Sequence, residues 1–162
     1  MDTPNPTFAP ALETLLVMFD KTRADILKLL EGLTPEQVYV MPAGFRNNLL
    51  WNLGHVLVIQ QTLFYEQSGL PLRIPPHYLE MFRKGTHPGQ WTMSVNPDEV
   101  KAWLKETSRM LRIDMASGIF KSFAPYQTSW GCRLANLPDI LAFTAWHESL
   151  HFGIMSAMRK LV

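Results

Sequence analysis

Two histidines four residues apart, His147 and His151, flank Glu148 in the stretch WHESLH at 146–151. On a helix that spacing stacks two imidazoles on one face, where both reach a single metal ion at roughly 2.0–2.1 Å. The letters H-E-x-x-H are also the zinc signature of a large class of metalloproteases, whose glutamate is the general base. Those enzymes need a third ligand, commonly downstream. Only eleven residues follow His151, FGIMSAMRKLV, and none is His, Asp, Glu or Cys. A third ligand must come from upstream, which argues against a protease of that class.

The chain has five histidines. His77 and His87 fall in a long Pro- and Gly-containing connection and read as ordinary surface residues. The other three lie in the two most apolar segments. Ile140, Thr144, His147, His151, Ile154 and Met158 follow spacings of four and three, which is one helical stripe facing the core. Trp51, Asn52, His55, Ile59 and Thr62 share a face of another helix and carry a third imidazole inward. A lone histidine on an apolar face is usually a core residue bonded to a carbonyl. Three such rings change the balance, because burying each without a partner costs roughly 1–3 kcal/mol. One divalent cation satisfies all three. Gly54 and Gly153, beside these ligands, cost about 1 kcal/mol each in a helix interior. Close backbone approach is the expected compensation.

Four long helices must position these side chains. The first is expected from about Pro10 to Glu31, with Leu16, Phe19, Ile26 and Leu30 among its inner residues and Gly32 just past its end. A short helix follows the Thr34 cap and Pro35. The second long helix is expected from an Asn47 cap to about Gln67. No Asp, Glu, Lys or Arg lies between Asn47 and Tyr65, so this helix sits inside the bundle. Residues 69–95 form a connection too long for a turn, with a short helix expected in HYLEMFRKG. It reads as a segment pinning Phe82 and Trp91 to the core, or as a lid. Asn96, Pro97 and Glu99 open the third long helix as cap, first residue and capping-box partner, and it runs to about Ser117. An irregular stretch with a short extended pair around PYQTSWGCRL leads to the fourth, from Leu137 to Lys160 behind an Asn136 cap. Between Ile140 and Met158 its only formal charge is Glu148. The expected fold is all-α, a four-helix bundle with a long crossover connection, in one domain spanning residues 1–162.

Bulk properties narrow the function classes. A net charge of +1 points to neither nucleic acid nor an anionic membrane surface. The single cysteine, Cys132, has no partner for a disulfide or a thiolate zinc site and reads as a small core residue. The opening residues MDTPNPTFAP lack the basic and apolar regions of a signal peptide, and no run of about 18 apolar residues occurs. A soluble cytoplasmic protein is the expectation.

WNLGH at 51–55, a long loop containing MFRKG, the SWG stretch at 129–131 and HESLHFG at 147–153 together resemble the DinB-like family, which includes the YfiT-type metal-dependent hydrolases. The likeness covers most of the chain. It implies a four-helix bundle with a crossover and a metal site of three histidines, here His55, His147 and His151. It implies nickel or zinc as the metal and a homodimer as the assembly. Some members of the family transfer or isomerise through small thiols. Relatives often carry Gln where this chain has Ile154, so a contact made by that Gln is missing here.

Three neutral imidazoles leave at least one coordination position open, as in catalytic zinc sites. A water there is acidified toward about 7, and a low-molecular-weight thiol would be held as thiolate. Glu148, about 100° around the helix from His147, is the candidate catalytic residue. It would act as general base, orient a ligand histidine, or form a salt bridge to a loop arginine. Asn52, three residues before His55, would support a ligand or pack as a plain amide. Two functions follow. One is a metal-dependent hydrolase or thiol-dependent S-transferase acting on a small molecule. The other is a non-catalytic metal-binding or stress-response bundle whose ion is structural. Access to the ion separates them: an enzyme needs a pocket, a structural site is sealed.

Overall fold

In a computed structural model, residues 10–162 are described. The reading of the opening residues as lacking a signal peptide falls mainly on residues 1–9, outside the described residues. Four long helices carry the fold: α1 (Pro10–Leu29), α3 (Leu49–Phe64), α5 (Pro97–Ala116) and α6 (Leu137–Met158). Two short helices, α2 (Pro35–Tyr39) and α4 (His77–Phe82), lie in the connections. Around the bundle the packing order is α1, α6, α3, α5, returning to α1. Consecutive long helices α1 and α3 are therefore not neighbours, and the chain crosses over between them.

Each start has a local cause. Asn48, not Asn47, caps α3, its side-chain oxygen accepting from the Trp51 N–H at 2.7 Å. Asn96 caps α5 by accepting from the Asp98 N–H at 2.9 Å, and Asn136 caps α6 by accepting from the Asp139 N–H at 2.9 Å. The α-helical part of α3 ends at Phe64, earlier than the periodicity suggested. Its last turn tightens to a 3-10 turn at Glu66–Ser68, and Gly69 follows with a left-handed φ of 72°. The extended pair before α6 is two residues a side, Tyr126–Gln127 antiparallel to Arg133–Leu134.

The core is apolar, as the low charge density of α3 and α6 requires. Leu49, Leu50, Leu53, Val56, Leu57 and Phe64 of α3 are fully buried. Phe82 from the crossover packs on α3 opposite Gly54, where an added Cβ would lie 2.4 Å from the Phe82 ring. Trp91 meets Phe82 edge-on at 5.4 Å, so the connection is pinned to the core as expected. Gly153 has open space around it, and nothing in the structure explains it. Cys132 is a second correction: it is exposed in the turn between the two strands rather than buried. Among the described residues no helix is long and apolar enough to cross a membrane.

Candidate metal centre

The spacing on α6 and the placement of α3 do bring three rings together. His55, His147 and His151 are buried, and their ligand nitrogens all lie within 4.8 Å of one another. Ring centroids are 4.5 Å apart for His147 and His151, 4.8 Å for His55 and His151, and 5.2 Å for His55 and His147. His77 and His87 stay outside this cluster. His77 lies edge-on to Tyr78, and His87 accepts from the Gly89 N–H in a turn.

Hydrogen bonds fix the tautomers of two rings. His55 Nδ1 lies 2.7 Å from the Phe82 carbonyl. A carbonyl only accepts, so Nδ1 carries the proton and Nε2 keeps its lone pair. His151 Nδ1 lies 2.8 Å from Asn52 Oδ1, and the Asn52 amide is oriented by donating to the Asn48 carbonyl at 2.8 Å. His151 Nδ1 is therefore the donor, and its Nε2 lone pair is likewise free. Of the two roles open to Asn52 it takes the supporting one, but to His151 on α6 and not to His55 three residues ahead on its own helix. The third ring, His147, has a buried Nδ1 without a hydrogen-bond partner and packs near Phe143, centroids 6.1 Å apart.

Electrostatics agree with this arrangement. Burial, then the neighbouring rings, push His147 down to about 2 and His151 down to about 3. Burial likewise lowers His55, opposed by its bond to Phe82 and assisted by the charge of Lys84. All three rings are neutral at ordinary pH, the form that donates a lone pair to a metal. No group among the described residues hydrogen-bonds the free Nε2 of His55 or of His151. Three buried neutral imidazoles, two of them held by acceptors on the far nitrogen, fit a divalent ion.

Glu148, expected beside the ion, is not brought to the cluster. Its carboxylate is fully buried and turned to α1, where Arg23 grips it. Arg23 Nε lies 2.9 Å from Oε2 and Nη2 lies 2.7 Å from Oε1. The other terminal nitrogen of Arg23 reaches the Leu104 carbonyl and the Thr107 and Ser108 hydroxyls at 3.0–3.2 Å. Burial pushes the Glu148 carboxyl up, and the bidentate guanidinium opposes that. The 100° step that separates Glu148 from His147 is enough to send it to a different helix. Of the three roles open to Glu148, the structure places it in an ion pair, with an arginine on a helix rather than in a loop.

The centre is open to the outside. All three rings help to line a partly open pocket of about 210 Å³. Ile59, Leu63, Phe143, Leu150 and Trp130 form its apolar wall, and Lys84, Tyr126, Thr128 and Ser129 its polar part. Lys84 comes from the crossover just past α4, Tyr126 from the first strand, and Thr128 and Ser129 from the turn between the two strands. Thr128 N–H donates to the Cys132 carbonyl at 2.9 Å, the Cys132 N–H donates to the Thr128 hydroxyl at 3.0 Å, and Gly131 takes a left-handed φ of 84°. Trp130 stands 64% exposed and meets Trp146 edge-on at 4.9 Å. Arg23, the Phe82 carbonyl, Lys84, Trp130 and Phe143 were not found by reading the sequence. Lys84 and Trp130 lie within the MFRKG and SWG stretches that carried the resemblance, and Arg23 left a positional signal, four residues after Phe19 and three before Ile26 on the apolar stripe of α1.

Fold and centre define an all-α bundle with an interior cluster of three histidines able to bind a metal. A family model of the DinB superfamily matches residues 18–155, and the chain belongs to that superfamily. No curated protein matches the chain.

Proposed function

We propose that His55, His147 and His151 hold a divalent ion, nickel or zinc, and that the protein is a metal-dependent hydrolase or thiol-dependent S-transferase acting on a small molecule. The observation that carries this reading is access. The three rings line a partly open pocket, which supports access, whereas an ion serving only to brace the bundle needs no opening. A divalent ion held there supplies Lewis acidity, which acidifies a water or thiol and polarises an electrophile. The chain's own residues do the rest. The Phe82 carbonyl and Asn52 keep the proton of His55 and of His151 on Nδ1, so the lone pairs stay inward. Leu150, Phe143 and Trp130 shield one side of the pocket from water. Glu148 is committed to Arg23, so proton transfer falls to the bound species and to the hydroxyls of Thr128, Ser129 and Tyr126, which line the pocket.

The test is metal analysis of protein prepared without an affinity tag, followed by a hydrolase and thiol-transfer screen. Replacing any of His55, His147 or His151 by Ala is expected to remove the metal, and His77→Ala and His87→Ala to leave it. Metal retained by His55→Ala but lost from His87→Ala would sink the assignment. Loaded wild-type protein inactive across the screen would favour the structural-ion alternative.

A further inference from the structure

The charge around the centre is one-sided. Three imidazoles contribute no negative charge, so a divalent ion bound by them keeps its full charge. Among the described residues, no Asp or Glu lines the pocket. The carboxylate nearest in sequence, Glu148, is neutralised by Arg23. One further cation, on an exposed side chain, borders the same space. Lys84 lines the pocket, its charge acts on the His55 ring, and among the described residues it has no carboxylate within ion-pair distance.

Lys84 is also held near the centre by its backbone. It lies two residues beyond Phe82, whose carbonyl holds His55. The turn that carries it is closed by the Thr86 N–H donating to the Arg83 carbonyl at 3.2 Å. Gly85 supplies the left-handed φ of 92° that this turn needs. The Thr86 hydroxyl lies 2.8 Å from both the Met81 and Arg83 carbonyls and accepts from Trp51 Nε1 at 2.9 Å. Trp51 in turn stacks on His55, centroids 4.5 Å apart and planes 12° from parallel. The ammonium is free to move on its stem, but the stem starts from a point tied to a metal ligand.

Taking the metal reading above as given, we infer that the pocket binds a small molecule with two anionic anchors: one donor atom at the ion, and a separate anionic group paired with Lys84. The part between the anchors lies against Phe143 and Leu150 and is apolar. Lys84 is then a specificity-determining residue. Lys84 is exposed and no carboxylate lines the pocket among the described residues, so with an ion at the rings the pocket's field is positive throughout and an anionic group on the ligand complements it.

The experiment uses full-length protein loaded with Co(II), whose thiolate-to-metal absorption band reports binding directly. The probes are mercaptoacetate, 3-mercaptopropionate and 4-mercaptobutyrate, each against its neutral amide. Wild type is expected to prefer at least one acid over its amide by roughly tenfold, the size of a charge-assisted contact. The preference should shrink as salt is raised. Lys84→Met should lose it while retaining the band and the cobalt, Lys84→Arg should keep it, and Lys84→Glu should invert it. An acid preference that survives in Lys84→Met would show chelation at the metal alone and overturn the inference. So would equal binding of acids and amides in wild type. No cobalt band with any thiol would remove the metal-centred reading itself, and the inference with it.

Discussion

At the scale of single residues, the histidines have a consequence that does not need the metal. In the metal-free fold His147 and His151 are held at about 2 and about 3, and His55 is lowered too. In the unfolded chain all three bind protons near 6.5. Below that value the unfolded state carries the extra protons, so stability falls as pH falls. Above it neither state is protonated and the effect is absent. The urea midpoint of metal-free protein is therefore expected to be flat above about pH 7 and to fall steadily between pH 6.5 and 4. His147→Gln should make that decline shallower without abolishing it, since His55 and His151 remain, and an equally steep fall in the variant would show that other groups cause it.

Much of the candidate site was legible at this scale, because its ligands obey a simple rule. The four-residue spacing of His147 and His151 fixes their shared face, and the all-apolar surroundings of His55 force it inward. Their supports were harder to read. Asn52 is visible by its spacing, but the Phe82 carbonyl is a backbone group and carries no sequence signal. Glu148 shows the limit of reasoning along one helix. Its charge demanded a cation, and the sequence offered both a metal one stripe away and arginines elsewhere. Which one it meets depends on how α1 packs against α6, and periodicity does not contain that.

At the scale of elements, the Arg23–Glu148 pair is a clamp joining α1 to α6, with α5 drawn in through Leu104, Thr107 and Ser108. Removing one charge strands the other in a dry interior. Glu148→Gln is expected to destabilise the protein by about 3–5 kcal/mol, read from denaturant unfolding, with metal content unchanged. Loss of metal with stability intact would place the carboxylate's role at the centre after all. A second element-level contact joins α3 to the crossover. Gly54→Ala puts a Cβ 2.4 Å from the Phe82 ring. The ring cannot retreat without moving α4 and its carbonyl. The substitution should cost about 1–3 kcal/mol and weaken metal affinity as well, by isothermal titration. A stability loss with affinity untouched would uncouple α4 from the centre.

The element boundaries were mostly legible, since capping residues announce them. Asn136 and Asn96 were found at the right positions. Asn47 was preferred to Asn48 because both are good caps and only the backbone geometry chooses between them. The early end of α3 has a similar cause: Gln67 and Ser68 continue the turn, but in 3-10 geometry that composition does not distinguish.

At the scale of the molecule, four exposed apolar side chains lie on two neighbouring helices, Val17 and Met18 on α1 and Trp146 and Leu150 on α6, while others are spread over the connections, α5 and the strand turn. We propose that a second copy of the chain covers this face. A stable interface buries roughly 1,200–2,000 Å². Sedimentation at tens of micromolar should give a dimer, and Met18→Glu with Val17→Lys should return it to a monomer. An 18.6 kDa species for the unaltered protein would end the proposal.

The way the crossover holds His55 also bears on how such a chain can change over generations. The contact is made by a main-chain carbonyl, so the side chain at position 82 acts on it only indirectly, by packing the buried Phe82 ring against Gly54 and Trp91 and so setting the backbone path. The path is guarded by Gly54, which lies on α3 and not in the crossover. Within residues 83–95 Gly85, Thr86, Trp91 and Val95 are tied to that path, so change is open mainly at exposed positions such as Arg83 and Lys84, where it need not disturb the rings on α3 and α6. The three rings sit on long helices, while the exposed positions around them that can vary lie in the crossover and in the turn between the strands.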